Sequence, residues 1–560
     1  MKKYFIKKLI FTFSVLSVSF LAAQNSPEKS EEKIILPEVT TTVSGDSLTA
    51  GKDAVPDFTS ILPVQDENPP LPKLPGVKSS DTYSEPEADL TVAADKQIYA
   101  QGLIGGGFPG YFTGDFSVYK SSGAEPFLLR FSHLSQNGYG KHSARDGYFD
   151  STTTLRGEKI FSVKNTMWNL SASYDRTTYG LQNKSPAFYE MNYQTVETSD
   201  FVRWFLPKGF SLALGFDGQW YNRYAGVPEN SVDVILKQEE NSDIITFNPS
   251  FESQWGNTNF NVFFDTSYTL EFLNDSEFVK YGSEEKNDVS SISRADFILG
   301  GSWTGKNLYI ALKGGVAAGT EMGDNSVIPL AEASFEGKWN MPSMDRLLFV
   351  NVKGGIDSRL SLCSDLEKDF NFTTQTFLPY ETSDWFAMIN MTIPAGSKIT
   401  IEGTSEFRKT AFNNGVWEAD YDSPLYTKVY EFKQIDRSIL TSKVNLSYLW
   451  KIFTVDFSWK SNYFHVPSND YRNTFGATLS FQSETGKWGF EASAFEAVDK
   501  DADLCPVINV SGFIKLRDAI RFSLEIDDGV KLISRSGRDY GNSMYIKNSG
   551  SAKLLVKFFF

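Results

Sequence analysis

The chain has 560 residues, a formal net charge of −15, 15% aromatic residues and 42 glycines. The acidic balance argues against nucleic acid as a partner, because phosphate backbones are bound by lysine and arginine. Three histidines and two cysteines leave little for a metal cluster or a disulfide scaffold. No catalytic or cofactor-binding motif occurs either, so we predict a protein that is not an enzyme, with no catalytic site, cofactor or metal.

Residues 1–23 have the pattern of a secretory signal peptide. Four lysines precede an apolar stretch that ends in small residues and is too short to span a membrane as a helix. Residues 24–95 are rich in proline and acidic residues and poor in aromatic ones, so they lack the apolar surface needed to offset the entropy of folding. We predict a cleaved signal followed by a disordered tail, placed in the periplasm or in the lumen of the domain that follows.

A short β-prone segment, residues 35–45, lies inside this tail. It loosely resembles the TonB box, the extended peptide by which energised transporters are pulled from the periplasm through added-strand pairing. Pro37, Glu38, Val39, Thr40 and Val43 carry the resemblance. A linker rich in valine and threonine has the same composition, so the segment is read as either a contact for TonB or a plain linker.

Residues 96–560 alternate between apolar and polar side chains with a period of two. In residues 260–272, for example, the even positions are apolar or threonine, and Asn261, Asp265 and Glu271 fall between them. Successive side chains of a strand point to opposite faces, so each such segment has one apolar and one wet face. A whole domain of these segments, without a helical period between them, predicts an all-β fold.

The connections distinguish a membrane barrel from a soluble β-sandwich. Every second connection is a tight turn, as at Lys164, Asn257, Lys451 and Gly486, whereas most of the others are longer and polar. Short periplasmic turns and long outer loops are typical of outer-membrane barrels. We predict a transmembrane antiparallel up-and-down barrel over residues 96–560, with about 22 strands (roughly 18 to 24) and both ends in the periplasm.

Tryptophan positions are an independent indication of the same fold. Amphipathic indole rings prefer the interface between membrane and water. Seven of the eleven tryptophans lie within a few residues of the predicted periplasmic turns: Trp168, Trp204, Trp255, Trp303, Trp339, Trp450 and Trp488. We predict that they form the periplasmic aromatic girdle of a barrel in the outer membrane of a diderm bacterium.

The last ten residues read as a strand with one apolar face. Leu554, Val556, Phe558 and Phe560 alternate with polar positions that include Lys553 and Lys557. A strand that ends on an aromatic C-terminus resembles the closing strand of bacterial outer-membrane barrels, and the resemblance implies recognition of Phe560 by the barrel assembly machinery. Outer-membrane lipid is the second expected partner. We expect this strand to pair with the first one, near residues 98–104, so that no edge remains.

A barrel of about 22 strands resembles that of the TonB-dependent receptors, and the resemblance covers residues 96–560. It implies transport across the outer membrane with TonB as a partner. Those receptors carry a globular plug before the barrel, whereas only residues 24–95 precede it here, so we predict that this plug is absent or is a separate protein. Because so wide a barrel normally needs a plug, we expect the tail or infolded loops, such as residues 363–383, to occlude the lumen.

The wet faces of the predicted strands carry charges of both signs. The candidates for the lumen wall are Asp265, Lys353, Asp357, Arg359, Asp456, Lys460, Arg521 and Glu525. They either line a solute path or pair locally, as on any water-facing wall. The predicted function is solute passage, porin-like or TonB-dependent, and the alternative is a surface-exposed structural or adhesive protein that uses its long loops. Whether Cys363 and Cys505 pair is left open.

Overall fold

The computed structural model describes residues 98–120, 125–138, 150–226, 242–273, 291–320, 327–340, 347–373, 381–425, 427–498, 505–516, 519–539 and 543–560. The predicted signal peptide, the tail with its TonB-box-like residues and the question of a plug lie outside these residues. Within them, no helix is both long enough and apolar enough to cross a membrane.

Twenty-two strands form one closed antiparallel sheet, and four short strands form two separate hairpins. The strands, numbered in chain order, are β1 (Tyr99–Phe108), β2 (Tyr111–Lys120), β3 (Phe127–Gln136), β4 (Asp150–Val163), β5 (Thr166–Gly180), β6 (Glu190–Leu206), β7 (Phe210–Gly226), β8 (Ser242–Gly256), β9 (Phe260–Leu273), β10 (Ser291–Thr304), β11 (Leu308–Gly319), β12 (Val327–Asn340), β13 (Leu347–Leu360), β14 (Glu381–Ala395), β15 (Ile399–Thr410), β16 (Val416–Pro424), β17 (Tyr430–Ile435), β18 (Ser438–Trp450), β19 (Phe453–Phe464), β20 (Asn473–Gln482), β21 (Trp488–Val498), β22 (Val507–Leu516), β23 (Ile520–Asp527), β24 (Arg538–Asp539), β25 (Ile546–Asn548) and β26 (Ser551–Phe559). The predicted barrel of 22 strands is confirmed.

The barrel closes through its last strand. β26 pairs with β23 on one side and with β1 on the other, where Gln101 faces Phe559 and Phe108 faces Ala552. Each barrel strand therefore has two neighbours, which leaves no open edge of backbone donors and acceptors. The partner of the last strand is the first strand, as predicted, over residues 101–108.

The two rims differ in the length of their connections. Most of the tight connections, such as those at Lys164, Asn257 and Lys451, lie at the rim that also holds the two ends of the barrel. The short β1–β2 turn at Pro109 and Gly110 lies at the other rim. The other rim carries a short helix α1 (Cys363–Asp369), the β16–β17 hairpin, and a connection that contains helix α2 (Gly529–Ser534) with β24 and β25.

The strands at the outer rim extend further than the sequence pattern indicates. Ser383, the last residue of the predicted loop 363–383, lies in β14, as do Glu381 and Thr382 before it. All three side chains are polar and buried. An apolar alternation therefore ends before the backbone pairing does.

Candidate functional site

Four outer connections pack together in the mouth of the barrel. This loop layer consists of residues 181–189, 361–373, 411–437 without residue 426, and 543–549. Its segments share one apolar core, to which they contribute Leu181, Phe188, Cys363, Leu366, Phe370, Phe372, Trp417, Ala419, Tyr421, Val429, Tyr430, Phe432 and Tyr545.

The core of the loop layer continues onto the barrel wall. Tyr193, Tyr221, Ile244 and Ile292 belong to the same buried cluster and lie on β6, β7, β8 and β10. Their positions alternate with outward-facing residues such as Val196, so they belong to the lumen face of their strands. The layer is therefore held inside the barrel and not folded back over its rim.

Aromatic rings and one amide join segments that are distant in sequence. Phe372 stacks on Tyr545 with ring centroids 4.3 Å apart, and the Tyr545 hydroxyl donates to the Lys428 carbonyl at 2.7 Å. Gln182 binds the backbone of Ile546 twice: its Nε2 donates to the carbonyl at 2.8 Å and its Oε1 accepts from the N–H at 2.9 Å. These contacts tie all four segments together.

Helix α1 is fastened to the wall by charged side chains. Glu367 is buried and accepts from the Arg223 guanidinium and the Tyr221 hydroxyl, both on β7. The Ser364 Oγ donates to Gln219 Oε1 at 2.7 Å. Arg223 is fully buried, so the carboxylate of Glu367 offsets part of the cost of holding its charge away from water.

Burial also changes the acid–base behaviour of α1. Desolvation raises the pKa of Asp365, and nearby Glu197 raises it further, while Lys368 and Arg359 lower it. Burial raises the pKa of the Cys363 thiol well above its ordinary value, with further upward contributions from nearby carboxylates. The thiol of Cys363 is therefore neutral at physiological pH and a poor nucleophile.

A second charged network fastens the β16–β17 hairpin. Glu418 on β16 contacts His465 Nε2 at 2.9 Å and Arg437 Nη1 at 3.8 Å. Arg437 also lies 3.9 Å from Asp384 on β14, and burial lowers its pKa. The hairpin is thus attached through Glu418 to His465, the residue after β19, and through Arg437 to β14.

A polar cavity lies directly beneath α1. Its volume is about 670 Å³, within the range of small-molecule sites. Its lining includes Leu362, just before α1, and Gln219 and Glu197, which contact α1. Most of its lining is polar, and the charged members include Arg156, Asp175, Glu197, Asp217, Arg294, Asp296 and Arg359. A solute bound there would meet donors and acceptors of both charges.

One arginine of this cavity links distant parts of the wall. Arg294 on β10 binds Asp296 at 2.7 Å, the Ser358 carbonyl at 2.7 Å and the Glu381 carboxylate. The sequence pattern did not single out Arg294, Arg223 or Glu367. Arg294 and Asp296 are two residues apart in β10, so the period-two pattern could have placed both on the lumen face of the barrel wall. No local sequence pattern identifies Glu367 as a buried residue.

The eight predicted lumen charges all fall on the inward register. They lie on β9, β13, β19 and β23, so they are spread around the wall and do not form one site. Arg521 faces Lys557 and Glu525 faces Lys553 across β23–β26. Asp357 lies 3.6 Å from Arg408, and Lys460 pairs with Asp470.

The seven tryptophans of the predicted girdle stand within three residues of strand ends at the tight-turn rim. Six of them are exposed, and Trp204 is half-buried. Aromatic neighbours support several rings: Trp450 stacks on Phe453 at 5.8 Å, and Trp488 lies 4.6 Å from Phe481. The exposed rings form a partial ring at this end of the barrel.

The closing strand, β26, has one apolar face and one face that carries lysines, in the same alternation as in the sequence. Leu554 and Phe560 are exposed on the outward face, and Val556 and Phe558 are half-buried on the same face. Lys553 and Lys557 lie on the inward face. Lys553 pairs with Asp527 and sits 4.4 Å from the Tyr111 ring centroid.

Cys363 and Cys505 do not form a disulfide in the structure. Among the described residues, no three His, Cys, Asp or Glu side chains are grouped as a metal site requires.

The fold was compared with known proteins. No protein-family model matches the sequence, and no curated protein matches it. The FrpB iron transporter from Neisseria meningitidis (F3-3 variant) has a similar structure, with a TM-score of 0.60 at 11% identity over 83% of this chain and 82% of that one. The siderophore receptor PirA from Acinetobacter baumannii scores 0.58 at 8% identity, covering 84% and 81%. The copper transporter OprC scores 0.57 at 9% identity, covering 83% and 80%.

These likenesses concern the fold. The predicted resemblance to the barrel of the TonB-dependent receptors is confirmed at that level: the chain folds as a closed antiparallel barrel of 22 strands, with a layer of loops packed in its mouth.

Proposed function

We propose that this chain is an outer-membrane protein that passes a small polar solute, and that the loop layer closes its outer mouth. The observation that carries the proposal is the polar cavity of about 670 Å³ beneath α1, inside a closed barrel. The similarity in fold to an iron transporter, a copper transporter and a siderophore receptor supports a role in transport.

Helix α1 is the part of the loop layer that moves in this proposal. It lies between the cavity and the outside, and its attachment to β7 is polar, through Glu367 and Ser364. Polar contacts can be exchanged for contacts with water or solute, whereas the apolar contact of Phe372 with Tyr545 cannot. Passage then requires α1 to leave the wall while the rest of the layer stays packed.

The proposal extends to the ends of the chain. The seven tryptophans at the tight-turn rim act as the periplasmic girdle, and Leu554, Val556, Phe558 and Phe560 act as the assembly signal. The segment around Val39 and Val43 acts as the contact for TonB. Substituting both valines by arginine tests the last point: loss of uptake supports energised transport, and unchanged uptake assigns passive, porin-like passage.

Single-channel recording in planar bilayers tests the gate. The full-length protein should conduct little, and a variant in which residues 363–369 of α1 are replaced by a short glycine–serine linker should conduct markedly more. The matched control replaces residues 529–534 of α2, which lie outside the loop layer, in the same way. The proposal fails if neither protein conducts and neither lets a neutral sugar swell liposomes.

The alternative, a structural or adhesive surface protein, has one observation in its favour. The four connections of the loop layer are packed against one another, and α2 presents Ile533 with 85% of its side chain exposed. Adhesion predicts a sealed barrel together with cell or matrix binding that is lost when α2 is replaced. Swelling by a neutral sugar with binding unaffected would favour passage.

A further inference from the structure

The outward face of the barrel wall has a depression across β19, β20 and β21. Its volume is about 460 Å³, within the range of small-molecule sites. Its lining includes the outward-facing residues Phe457, Trp459, Phe475, Ala477, Ala494 and Glu496. Phe457 is exposed and alternates along β19 with inward residues such as Lys460. This depression, called here the outward groove, is therefore separate from the lumen.

The shape of the outward groove follows from two neighbouring rows of paired residues. In the row nearer the outer rim, Phe475 faces Glu496. In the next row, Phe457 faces Ala477, and Ala477 faces Ala494. An alanine methyl group projects much less far than an aromatic ring. The two alanines therefore form the floor, with rings beside them and Glu496 at the end near the outer rim.

The height of the groove on the wall places its floor against lipid chains. Glu496 and the girdle residue Trp488 both lie on β21, eight residues apart. A strand rises about 3.3 Å per residue and is tilted by roughly 35–45°, so Glu496 lies roughly 20 Å above the tight-turn rim. The apolar band of such barrels is about 25 Å tall. The alanine floor is therefore at the depth of the chains, and the carboxylate is close to the headgroups.

One oxygen of Glu496 has no partner within the described part of the chain. Its Oε1 is buried and makes no hydrogen bond. The last β21–β22 pair joins Phe495 to Val507, and the residue before Val507 is Pro506, which also lines the groove and has no N–H to donate. A buried acceptor without a donor costs free energy, and an ionisable group on a membrane-facing wall points to a bound partner.

The two parts of the groove match the two parts of a lipid. The alanine floor and the rings of Phe457 and Phe475 offer apolar surface, which an acyl chain covers. Glu496 offers a negative charge and an unused acceptor, which an ammonium group satisfies through a charge-assisted hydrogen bond. A headgroup with a phosphate and no ammonium would be repelled by the same carboxylate. Charge therefore separates the lipids that fit from those that do not.

We propose that the outward groove binds one phospholipid whose headgroup carries a primary ammonium group. An acyl chain lies over Ala477 and Ala494, and the ammonium donates to Glu496 Oε1. The site rests on the proposed membrane placement of the barrel and not on the passage of a solute, because the groove shares no lining residue with the cavity. This lipid stays with the barrel while the surrounding lipid exchanges, because it satisfies a buried acceptor.

Native mass spectrometry of the full-length protein in detergent tests the site directly. The protein is stripped of lipid and mixed with equal amounts of phosphatidylethanolamine, which carries the ammonium, and phosphatidylglycerol, which does not, both with oleoyl chains. The wild type should retain one phosphatidylethanolamine per chain in preference to phosphatidylglycerol. Glu496→Gln should weaken this retention about 10-fold and remove the preference, because a charge-assisted hydrogen bond becomes a neutral one.

Matched variants separate the carboxylate from the floor. Glu484→Gln removes an exposed carboxylate from the β20–β21 turn at the opposite rim, and it should leave retention unchanged. Ala494→Leu fills the floor and should reduce retention of both lipids. Its control, Ala333→Leu, lies opposite the exposed Leu312 on the lipid-facing side of β12 and should not. Both alanines are exposed, so neither leucine crowds the barrel interior.

Preference for phosphatidylethanolamine that Glu496→Gln removes and Glu484→Gln keeps supports the proposal. Absence of retained lipid, equal retention of the two lipids, or equal loss in the two glutamine variants overturns it. Retention that Ala494→Leu leaves unchanged overturns the placement of the chain in the groove. A dimer of this chain, or a complex with another protein, that is lost in Ala494→Leu also overturns the proposal, because the groove then has a protein occupant. If Glu496→Gln does not fold, the preference of the wild type and the Ala494→Leu variant decide.

Discussion

The two ends of the barrel use aromatic residues in opposite ways. At the tight-turn rim, tryptophans such as Trp450 and Trp488 are exposed and lie on the strands themselves. At the outer rim, Phe372, Tyr430 and Tyr545 lie in connections and are buried against one another. A membrane barrel has lipid outside and water inside, so its strands do not build a conventional core. The loops supply one, and a loop-built core can be rearranged without breaking the sheet.

The largest expected effect comes from the buried pair that fastens the loop layer. Glu367→Gln removes the carboxylate charge that pairs with buried Arg223, and breaking a buried ion pair costs about 3–5 kcal/mol. Hydrogen exchange of the α1 amides should accelerate by two orders of magnitude or more, and that of the barrel strands should not change.

An exposed pair in the same layer is the matched control. Lys433 and Asp420 are 2.6 Å apart with side chains 44% and 26% exposed. Lys433→Gln should cost less than about 1 kcal/mol, because solvent screens such a pair. Equal acceleration in both variants would contradict the assignment of Glu367 as the fastener of α1.

The next largest effect concerns Gln182, which joins the first and the last segments of the loop layer. Gln182→Ala removes both hydrogen bonds to the Ile546 backbone and leaves a buried N–H and carbonyl unsatisfied. We expect a loss of about 1–3 kcal/mol per unsatisfied group. Limited proteolysis should then cut within residues 181–189 or 543–549, while Ser534→Ala, at an exposed position of α2, should not sensitise either segment.

A smaller effect follows from the raised pKa of Asp365. Asp365 binds its proton more tightly when α1 is packed against the wall than when α1 has left it. The packed form is therefore most stable below the ordinary carboxyl pKa of about 4, and its stability falls as pH rises through the raised pKa of Asp365. Hydrogen exchange of α1, corrected for the intrinsic rate, should show this loss of protection. Asp365→Asn should abolish the pH dependence, and a dependence that survives would assign it to another group.

The smallest effect is expected at the tight-turn rim. Trp450→Ala removes an exposed indole that stacks on Phe453, at a cost of order 1 kcal/mol from the lost aromatic contact and interfacial preference. Urea unfolding in lipid bilayers measures this loss of stability. As the comparison, Trp417→Ala removes a buried indole and should lower the stability of the loop layer by about 3–5 kcal/mol. Equal losses of stability in the two variants would contradict the contrast between exposed aromatic residues at the tight-turn rim and buried ones in the loop layer.

The strands could be predicted from the sequence because each strand alternates apolar and polar residues with a period of two, and the tight turns show where neighbouring strands end. The loop layer has no such periodic pattern, since its residues are buried by segments far away in the chain. One signal was present: Phe370, Phe372, Trp417, Tyr421 and Tyr430 make these connections more aromatic than water-exposed loops need to be. Their aromatic content indicates burial, although it does not indicate the partners.

The loop layer also determines what another cell, an antibody or a phage would encounter. Its four segments are separated by up to several hundred residues in sequence and hold their positions through contacts such as that of Gln182 with Ile546. The outward surface is therefore a discontinuous epitope. A peptide copied from any one segment would lack the neighbours that shape it, so antisera against the native surface require the intact barrel as immunogen.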